Sequence, residues 1–134
     1  MTFFEPLLNQ GVQNLEQKNY GKTILSLKKK IIHYPNDSGF AYLVRGQSGL
    51  SMLVSRIKNG VQLSHDDCHQ TLQDYSSAIE LAPELAKEAF YQKGIVYSLI
   101  ESYTDALQDF GMAEKLGHPD AQEKIDAIIS LYSA

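Results

Sequence analysis

The sequence predicts an all-α protein, and three observations support this prediction. Apolar residues recur at steps of three and four along most of the chain, which is the spacing of one helix face. No stretch alternates apolar and polar residues for long enough to predict a half-buried strand. Turn signals divide the chain into segments of helical length. We therefore predict helices at residues 3–18, 20–33, 38–58, 64–81, 85–101, 103–116 and 119–133.

Each predicted boundary coincides with residues that favour turns, since proline and glycine interrupt helices. The boundaries are Asn19-Tyr20-Gly21, Tyr34-Pro35-Asn36-Asp37, Asn59-Gly60, Ala82-Pro83, Ser102 and Gly117-His118-Pro119. Ser64 is a predicted N-cap, followed by first-turn acids at Asp66 and Asp67. Asp120 is predicted to cap the last helix. The apolar stripe of that helix is Ile125, Ile128, Ile129 and Tyr132.

Composition indicates one ordinary globular domain over residues 1–134. Hydrophobic residues make up 43% of the chain and charged residues 21%. The net charge of -4 argues against a dedicated nucleic-acid-binding protein, which normally carries a basic surplus. A single cysteine excludes an internal disulfide and fits a reducing compartment. No apolar run is long enough to span a membrane and the first residues lack a basic start, so we expect a cytoplasmic protein without membrane insertion.

A pattern of small and large residues recurs three times at similar offsets. Its last copy consists of Ala89-Phe90, Gly94, Tyr97, Tyr103, Ala106, Phe110, Ala113 and Pro119. The copy before it consists of Tyr42, Gly46, Cys68, Thr71, Tyr75, Ala78 and Pro83, and the first of Leu7, Gly11, Tyr20, Thr23, Leu27 and Pro35. The pattern resembles the tetratricopeptide repeat (TPR). The segment 116–121 is similar to a junction in the related Sel1-like helical repeats.

The resemblance implies a TPR-like α-α superhelix of three antiparallel helix pairs plus a C-terminal capping helix. The repeats would cover about 3–37, 38–85 and 86–119, and the capping helix about 120–133. Two features depart from the TPR pattern: Lys30 stands where a small residue is usual, and the second repeat carries an insertion of about 13 residues. The insertion keeps helical spacing, so we expect an elongated second hairpin with Asn59-Gly60 near its tip.

The repeated spacing also predicts how the helices approach each other. Glycines on the first helix of each pair would leave room for a small residue on the second helix, while a larger residue would fill the gap to the next hairpin. The glycines are Gly11, Gly46 and Gly94. The small partners are Thr23, Thr71 and Ala106, and the filling residues are Leu27, Tyr75 and Phe110.

In TPR proteins the first helices line a concave groove that accepts a peptide or a partner helix. The matching positions here are Leu8, Val12, Leu15, Leu43, Gln47, Leu50, Tyr91, Ile95, Ser98 and Leu99. They are mostly apolar, and the lysine and asparagine of a carboxylate clamp are missing. The resemblance therefore implies binding of an apolar helix or peptide segment of a partner. The alternative is that the capping helix or a second copy of the chain fills the groove.

Residues 65–69 form the one cluster with metal-ligand chemistry. His65 and His69 would share a helix face, but Cys68 points elsewhere and occupies a packing position in the repeat. No third ligand is evident, so we predict no metal and no cofactor. A metal-dependent activity at these residues stays a weaker alternative.

Two further surfaces have alternative interpretations. The run Lys28-Lys29-Lys30, with Lys22 nearby, is more simply the solvated face of a helix than a contact for an acidic partner or anionic lipid. Apolar residues of the insertion would pack within it or offer a partner surface, and we expect internal packing. These are Met52, Leu53, Ile57, Val61 and Leu63.

The resemblance thus implies a non-enzymatic protein-protein interaction module, an adaptor or assembly factor. Its glycines are isolated within helices, so no nucleotide-binding loop is visible, and neither a nucleophile elbow nor a paired-carboxylate site is present. We therefore predict no catalytic residues, and a protein rather than a nucleic acid as partner. The alternative function is structural: self-association into a homodimer through the groove or the elongated hairpin.

Overall fold

The computed structural model describes residues 20–33 and 38–133, and within these ranges every regular element is helical. The helices are α1 (Tyr20–His33), α2 (Gly39–Lys58), α3 (His65–Leu81), α4 (Ala86–Leu99), α5 (Tyr103–Lys115) and α6 (Ala121–Tyr132). A short 3₁₀ turn, Pro83–Leu85, joins α3 to α4. The predicted all-α class is therefore confirmed for this part of the chain. The predicted helix at 3–18 falls outside it.

Three helices end in the same hydrogen-bonded turn, at places where the sequence predicts boundaries. After α2, the N–H groups of Gly60 and Val61 donate back into the last turn, and Gly60 has a φ of +84°. Gly117 ends α5 in the same way, with a φ of +91°. Glu101 takes the left-handed position after α4, with a φ of +57°. These are Schellman motifs, which satisfy the last carbonyl groups of a helix and stop it.

The two predicted N-caps have different outcomes. Ser64 accepts a hydrogen bond from the Asp67 N–H at 3.3 Å, and the Ser64 N–H donates to the Asp67 carboxylate at 2.8 Å. This capping box confirms the predicted start of α3. Asp120, however, makes no side-chain cap on α6. Its N–H donates instead to Nδ1 of His118 at 3.2 Å, so the capping prediction at Asp120 is wrong.

Each helix packs mainly on the helices before and after it in the chain, and α2 also contacts α4. Approaches between α2 and α3 pair Gly39 with Ala82, Gly46 with Tyr75, and Gly49 with Thr71. Along this series of contacts the residue numbers increase on α2 and decrease on α3, so the two helices are antiparallel. The short turn at 100–102 joins α4 and α5 in a second hairpin.

The two hairpins repeat the same close approach. A Cβ added at Gly46 would lie 2.8 Å from the Tyr75 ring, and one added at Gly94 would lie 2.6 Å from the Phe110 ring. Each glycine therefore lets an aromatic ring of the second helix lie directly on the backbone of the first helix.

A cross-hairpin ion pair is repeated beside each of these contacts. Arg45 precedes Gly46 and pairs with Asp74 at 2.6 Å. Lys93 precedes Gly94 and pairs with Asp109 at 3.7 Å. Both acids directly precede the aromatic residue that covers the glycine. The two hairpins thus share four equivalent positions.

The α2–α3 hairpin, which the sequence predicts to be elongated, is the longer of the two, since α2 has 20 residues and α4 has 14. Leu53 is 4% exposed in the cluster between α2, α3 and α4, and Leu63 packs against that cluster. Ile57 and Val61, near the turn, are 38% and 40% exposed. The insertion therefore packs internally at its base and leaves an apolar tip. Among the described residues, no helix is both long and apolar enough to cross a bilayer.

Candidate functional site

The predicted groove residues on α2 share one side of that helix, and those on α4 share one side of theirs; together we call them the α2–α4 face. Its members are half-buried: Gln47, Leu50, Tyr91, Ile95, Ser98 and Leu99. Leu43 is only 4% exposed and belongs to the core, so its assignment as a partner contact is wrong. The reason is that α4 packs directly against this side of α2. The positions Leu8, Val12 and Leu15 precede the first residue that the structure describes.

The α4 half of this face is partly covered by the last helices of the chain. Tyr91 and Ile95 pack against a cluster that contains Phe110 of α5 and Ile128 of α6. The Tyr91 ring also stacks on the His118 imidazole, with centroids 3.9 Å apart and planes at 12°. Substituting Tyr91 or Ile95 would therefore disturb internal packing as well as any partner contact.

A chain of polar contacts connects the two hairpins. The Tyr75 hydroxyl donates to Gln92 Oε1 at 2.6 Å, and Gln92 Nε2 donates to Glu88 at 2.8 Å. Glu88 also lies 2.9 Å from Nε2 of His118. Because Nδ1 of His118 accepts the Asp120 N–H, we assign the proton to Nε2, which donates to Glu88. The sequence identifies His118 only as part of a turn.

The predicted packing residues occupy the helix interfaces, with two differences. Tyr75 and Phe110 fill space inside their own hairpins, over Gly46 and Gly94, rather than only the gap to the next hairpin. Tyr75 reaches the next hairpin through its hydroxyl, and burial raises its pKa. Thr71 lies against Gly49, one turn from Gly46, because the ring of Tyr75 already covers Gly46.

The other predicted packing residues that the structure describes are also buried. Ala106 is 0% exposed and clusters with Phe110 and Ile128. On α1, Thr23 is fully buried, and Leu27 packs in a cluster with residues of α2. Gly11 belongs to the part of the chain that the structure does not describe.

A second surface, which we call the α1–α3 cleft, lies between α1, α2 and α3. It encloses about 330 Å³, and residues from all three helices line it. Those used below are Lys28, Arg45, Met52, Arg56, Gln70 and Asp74. Local sequence patterns do not predict this cleft, because its lining comes from three different helices.

The α1–α3 cleft contains one short, buried ion pair and one longer, partly exposed ion pair. Arg45 holds Asp74 with two hydrogen bonds of 2.8 and 2.6 Å, and Gln70 donates to the same carboxylate at 3.1 Å. Burial raises the pKa of Asp74, and the bonds from Arg45 oppose that rise. Near the cleft opening, Arg56 pairs with Asp67 at 3.4 Å, and their side chains are 40% and 30% exposed.

The sequence predicts that the lysine run of α1 is solvated, but only part of the run is. Lys22, Lys28 and Lys29 are exposed, but Lys30 is 1% exposed, with Nζ 3.4 Å from the Ser38 hydroxyl. The prediction of a solvated face is therefore wrong for Lys30. Its position on the helix turns it toward the buried side that also carries Leu27.

The residues of the cluster at 65–69 serve different local roles. Cys68 is fully buried in the core, and burial raises the pKa of its thiol. His65 and His69 are exposed, and Asp67 caps α3. Within the described ranges, no three His, Cys, Asp or Glu side chains come close enough together to hold a metal ion.

Comparison of the sequence with models of protein families found no match. A search of curated proteins found no similar chain. Function therefore has to be inferred from the two surfaces described above.

Proposed function

We propose that this chain is a non-enzymatic, TPR-type protein-protein interaction module, an adaptor or assembly factor. In this proposal its helix pairs form a superhelix with a capping helix, and an apolar helix or peptide segment of a partner binds along the α2–α4 face. The observation that carries the proposal is the repetition of one packing scheme in the hairpins α2–α3 and α4–α5. Stacked repeats create extended surfaces that serve for binding rather than for catalysis.

The chemistry of the α2–α4 face fits an amphipathic segment. Leu50 and Leu99 provide half-buried aliphatic surface, and Gln47 and Ser98 lie on the same face. Burial of apolar area contributes roughly 25 cal/mol per Å², from which ordering costs are subtracted. Polar groups beside aliphatic ones fix the register of such a ligand.

The buried ionisable groups support a binding role, because they are engaged in holding helices together. Asp74 is paired with Arg45, and Asp109 with Lys93. Burial raises the pKa of Asp109, while the neighbouring Lys93 acts in the opposite direction. A catalytic group instead has to face a substrate with a free proton or lone pair.

The test replaces the two polar residues of the face that belong to no apolar cluster. Gln47→Lys with Ser98→Lys places two cations on the α2–α4 face, and Gln108→Lys on the exposed side of α5 serves as the control. Tagged proteins would be used for affinity purification from the source organism, with mass spectrometry of the bound proteins. We expect the double variant to lose specific partners that the wild type and the control retain, with unchanged helical circular dichroism.

Recovery of the same partners by the double variant would remove the α2–α4 face from consideration. Loss of partners together with loss of helicity would show only unfolding, so Gln47→Lys and Ser98→Lys would then be tested singly.

The second candidate function is homodimerisation through the elongated hairpin. Ile57 and Val61 are exposed at its tip, beside a cavity of about 230 Å³ that Leu99 and Ile100 also line. Sedimentation velocity at micromolar concentration distinguishes this function from the first. A dimer that Ile57→Asp converts to a monomer would support it, and a wild-type monomer would exclude it.

A further inference from the structure

We propose that the α1–α3 cleft and the exposed side of α1 form a second docking site, which binds an acidic amphipathic segment of a partner protein. The site is distinct from the α2–α4 face. At about 100° per residue, the cleft residues Arg45, Met52 and Arg56 lie on one side of α2, and Leu43, Gln47 and Leu50 lie on the opposite side. Neither surface depends on the other.

The charge of α1 defines the first requirement for the ligand. The helix contains no acidic residue, and its exposed side carries Lys22, Lys28 and Lys29. In the described part of the chain, none of these three side chains has a hydrogen bond or an ion-pair partner. An unpaired cationic surface complements a ligand rich in aspartate or glutamate.

Apolar side chains on the same side of α1 define the second requirement. Leu25 and Ile32 are 57% and 65% exposed and lie two helical turns apart. At helical spacing they fall between Lys28 on one flank and Lys22 and Lys29 on the other. An aliphatic strip bordered by cations matches a helix whose leucine-like face is bordered by acids.

The cleft favours a polypeptide over a lipid surface. Lys28 belongs to both the exposed side of α1 and the cleft, so the two surfaces are continuous. Gly49, Met52 and Arg56 of α2 line the same recess, which has a volume of about 330 Å³. A side chain of a bound segment can enter such a recess, whereas a flat lipid surface cannot fill it.

The existing ion pairs leave cations available at the cleft. Asp74 is engaged by Arg45 and Gln70, so it does not neutralise Lys28. Arg56 meets Asp67 at 3.4 Å in a partly exposed pair, and such pairs add little stability. A ligand carboxylate can therefore bind Lys28 and compete for Arg56 at low cost.

The methionines provide the test. Met52 lies in the cleft, and Met112, 39% exposed on α5, is an internal control. The full chain, labelled with ¹³C at the methionine methyl groups, would be titrated with two designed helical peptides of about 15 residues. Both carry leucine on one face, with glutamate on the other face in one peptide and lysine in its counterpart. The glutamate peptide should shift the Met52 methyl resonance and leave Met112 unchanged, and the lysine peptide should shift neither.

Charge variants test the assigned contacts by fluorescence anisotropy. Lys28→Glu should weaken binding of the glutamate peptide about tenfold or more, since it replaces a close attraction by a repulsion. Lys115→Glu makes the same change on the exposed side of α5 and should leave the Kd nearly unchanged. The variant with Gln47→Lys and Ser98→Lys should not weaken binding, which separates this site from the α2–α4 face.

Three outcomes would overturn the proposal. The first is an unchanged Met52 resonance at saturating glutamate peptide. The second is equal weakening by Lys28→Glu and Lys115→Glu, which would show attraction by net charge alone. The third is Lys28-dependent binding to phosphatidylserine vesicles in the absence of peptide binding, which would assign the surface to lipid instead.

Discussion

Replacing Gly94 by alanine tests the close approach on which the repeated hairpin packing depends. The added Cβ would lie 2.6 Å from a ring carbon of Phe110, about 0.8 Å inside the 3.4 Å at which ordinary contacts begin. Phe110 is 1% exposed and packed against Ala106, Ile128 and Tyr91, so its ring has no free space into which to move. Overpacking of this kind costs about 1–3 kcal/mol.

Gly111→Ala is the matched control, because it makes the same chemical change inside α5 where a Cβ would meet nothing within 4 Å. In both variants the higher helix propensity of alanine contributes about 1 kcal/mol to the free energy of unfolding. Gly111→Ala should therefore stabilise the protein by about that amount. The difference between the two variants isolates the packing cost, about 1–3 kcal/mol. At this chain length it corresponds to a difference of roughly 4–12 °C in Tm.

Urea denaturation followed by circular dichroism measures both free energies of unfolding. Adding Phe110→Leu to Gly94→Ala should recover part of the lost free energy of unfolding. The smaller leucine side chain relieves the contact with the added Cβ. The double-mutant cycle then gives a favourable coupling between the two positions. Equal stabilisation by Gly94→Ala and Gly111→Ala would refute the close approach of α4 and α5.

Two further predictions concern charged groups. Arg45→Met removes the two hydrogen bonds that Arg45 donates to Asp74 and leaves the one from Gln70, on a carboxylate whose side chain is 3% exposed. This change should lower the free energy of unfolding by about 3–5 kcal/mol. Lys93→Met removes a longer pair and should cost less in the same urea titration, so equal losses would contradict this ranking. Hydrogen bonds from the Ser64 backbone and side chain hold the pKa of Asp67 below its ordinary value of 3.8. A lowered acid pKa stabilises the folded state above the unfolded-state pKa, so wild type should be more stable than Asp67→Asn at neutral pH. The gap should close as the pH falls below 3.8, and a gap independent of pH would contradict the assigned cause.

Helix boundaries are predictable from this sequence because they depend on local chemistry. Gly60 and Gly117 adopt a positive φ where the chain has to leave the helix, and Ser64 and Asp67 form their capping box over four consecutive residues. Each of these signals lies within at most four consecutive residues. The bounds of the described helices consequently lie within two residues of the predicted ones.

Contacts between helices were less predictable because they depend on register and distance. The repeat pattern places Thr71 on the correct side of α3, but its partner on α2 is Gly49, one turn from the predicted Gly46. It places Leu43 on the side facing α4 without showing how closely α4 approaches. The buried position of Lys30 likewise depends on its tertiary surroundings, since a lysine run in isolation indicates solvent exposure.

The polar chain from Tyr75 to His118 is the part of the interior that local patterns could not reveal. Its members come from α3, α4 and the turn after α5, and each pair makes its contact through side-chain ends. Gln92 is an unremarkable helical residue by spacing, yet it is 8% exposed and connects the two hairpins. Such a network can be recognised only once the relative positions of the helices are known.

Packing mainly between neighbours in the chain has a consequence for how this protein folds and opens. Contacts of this kind close short loops, so each step of assembly loses little chain entropy, and we expect folding to be fast. Where contacts are mainly between neighbours, a helix that packs on one side only can detach without breaking the contacts farther inside. We therefore expect the slowest amide hydrogen exchange in α3 and α4, which lie in the middle of the described order of helices.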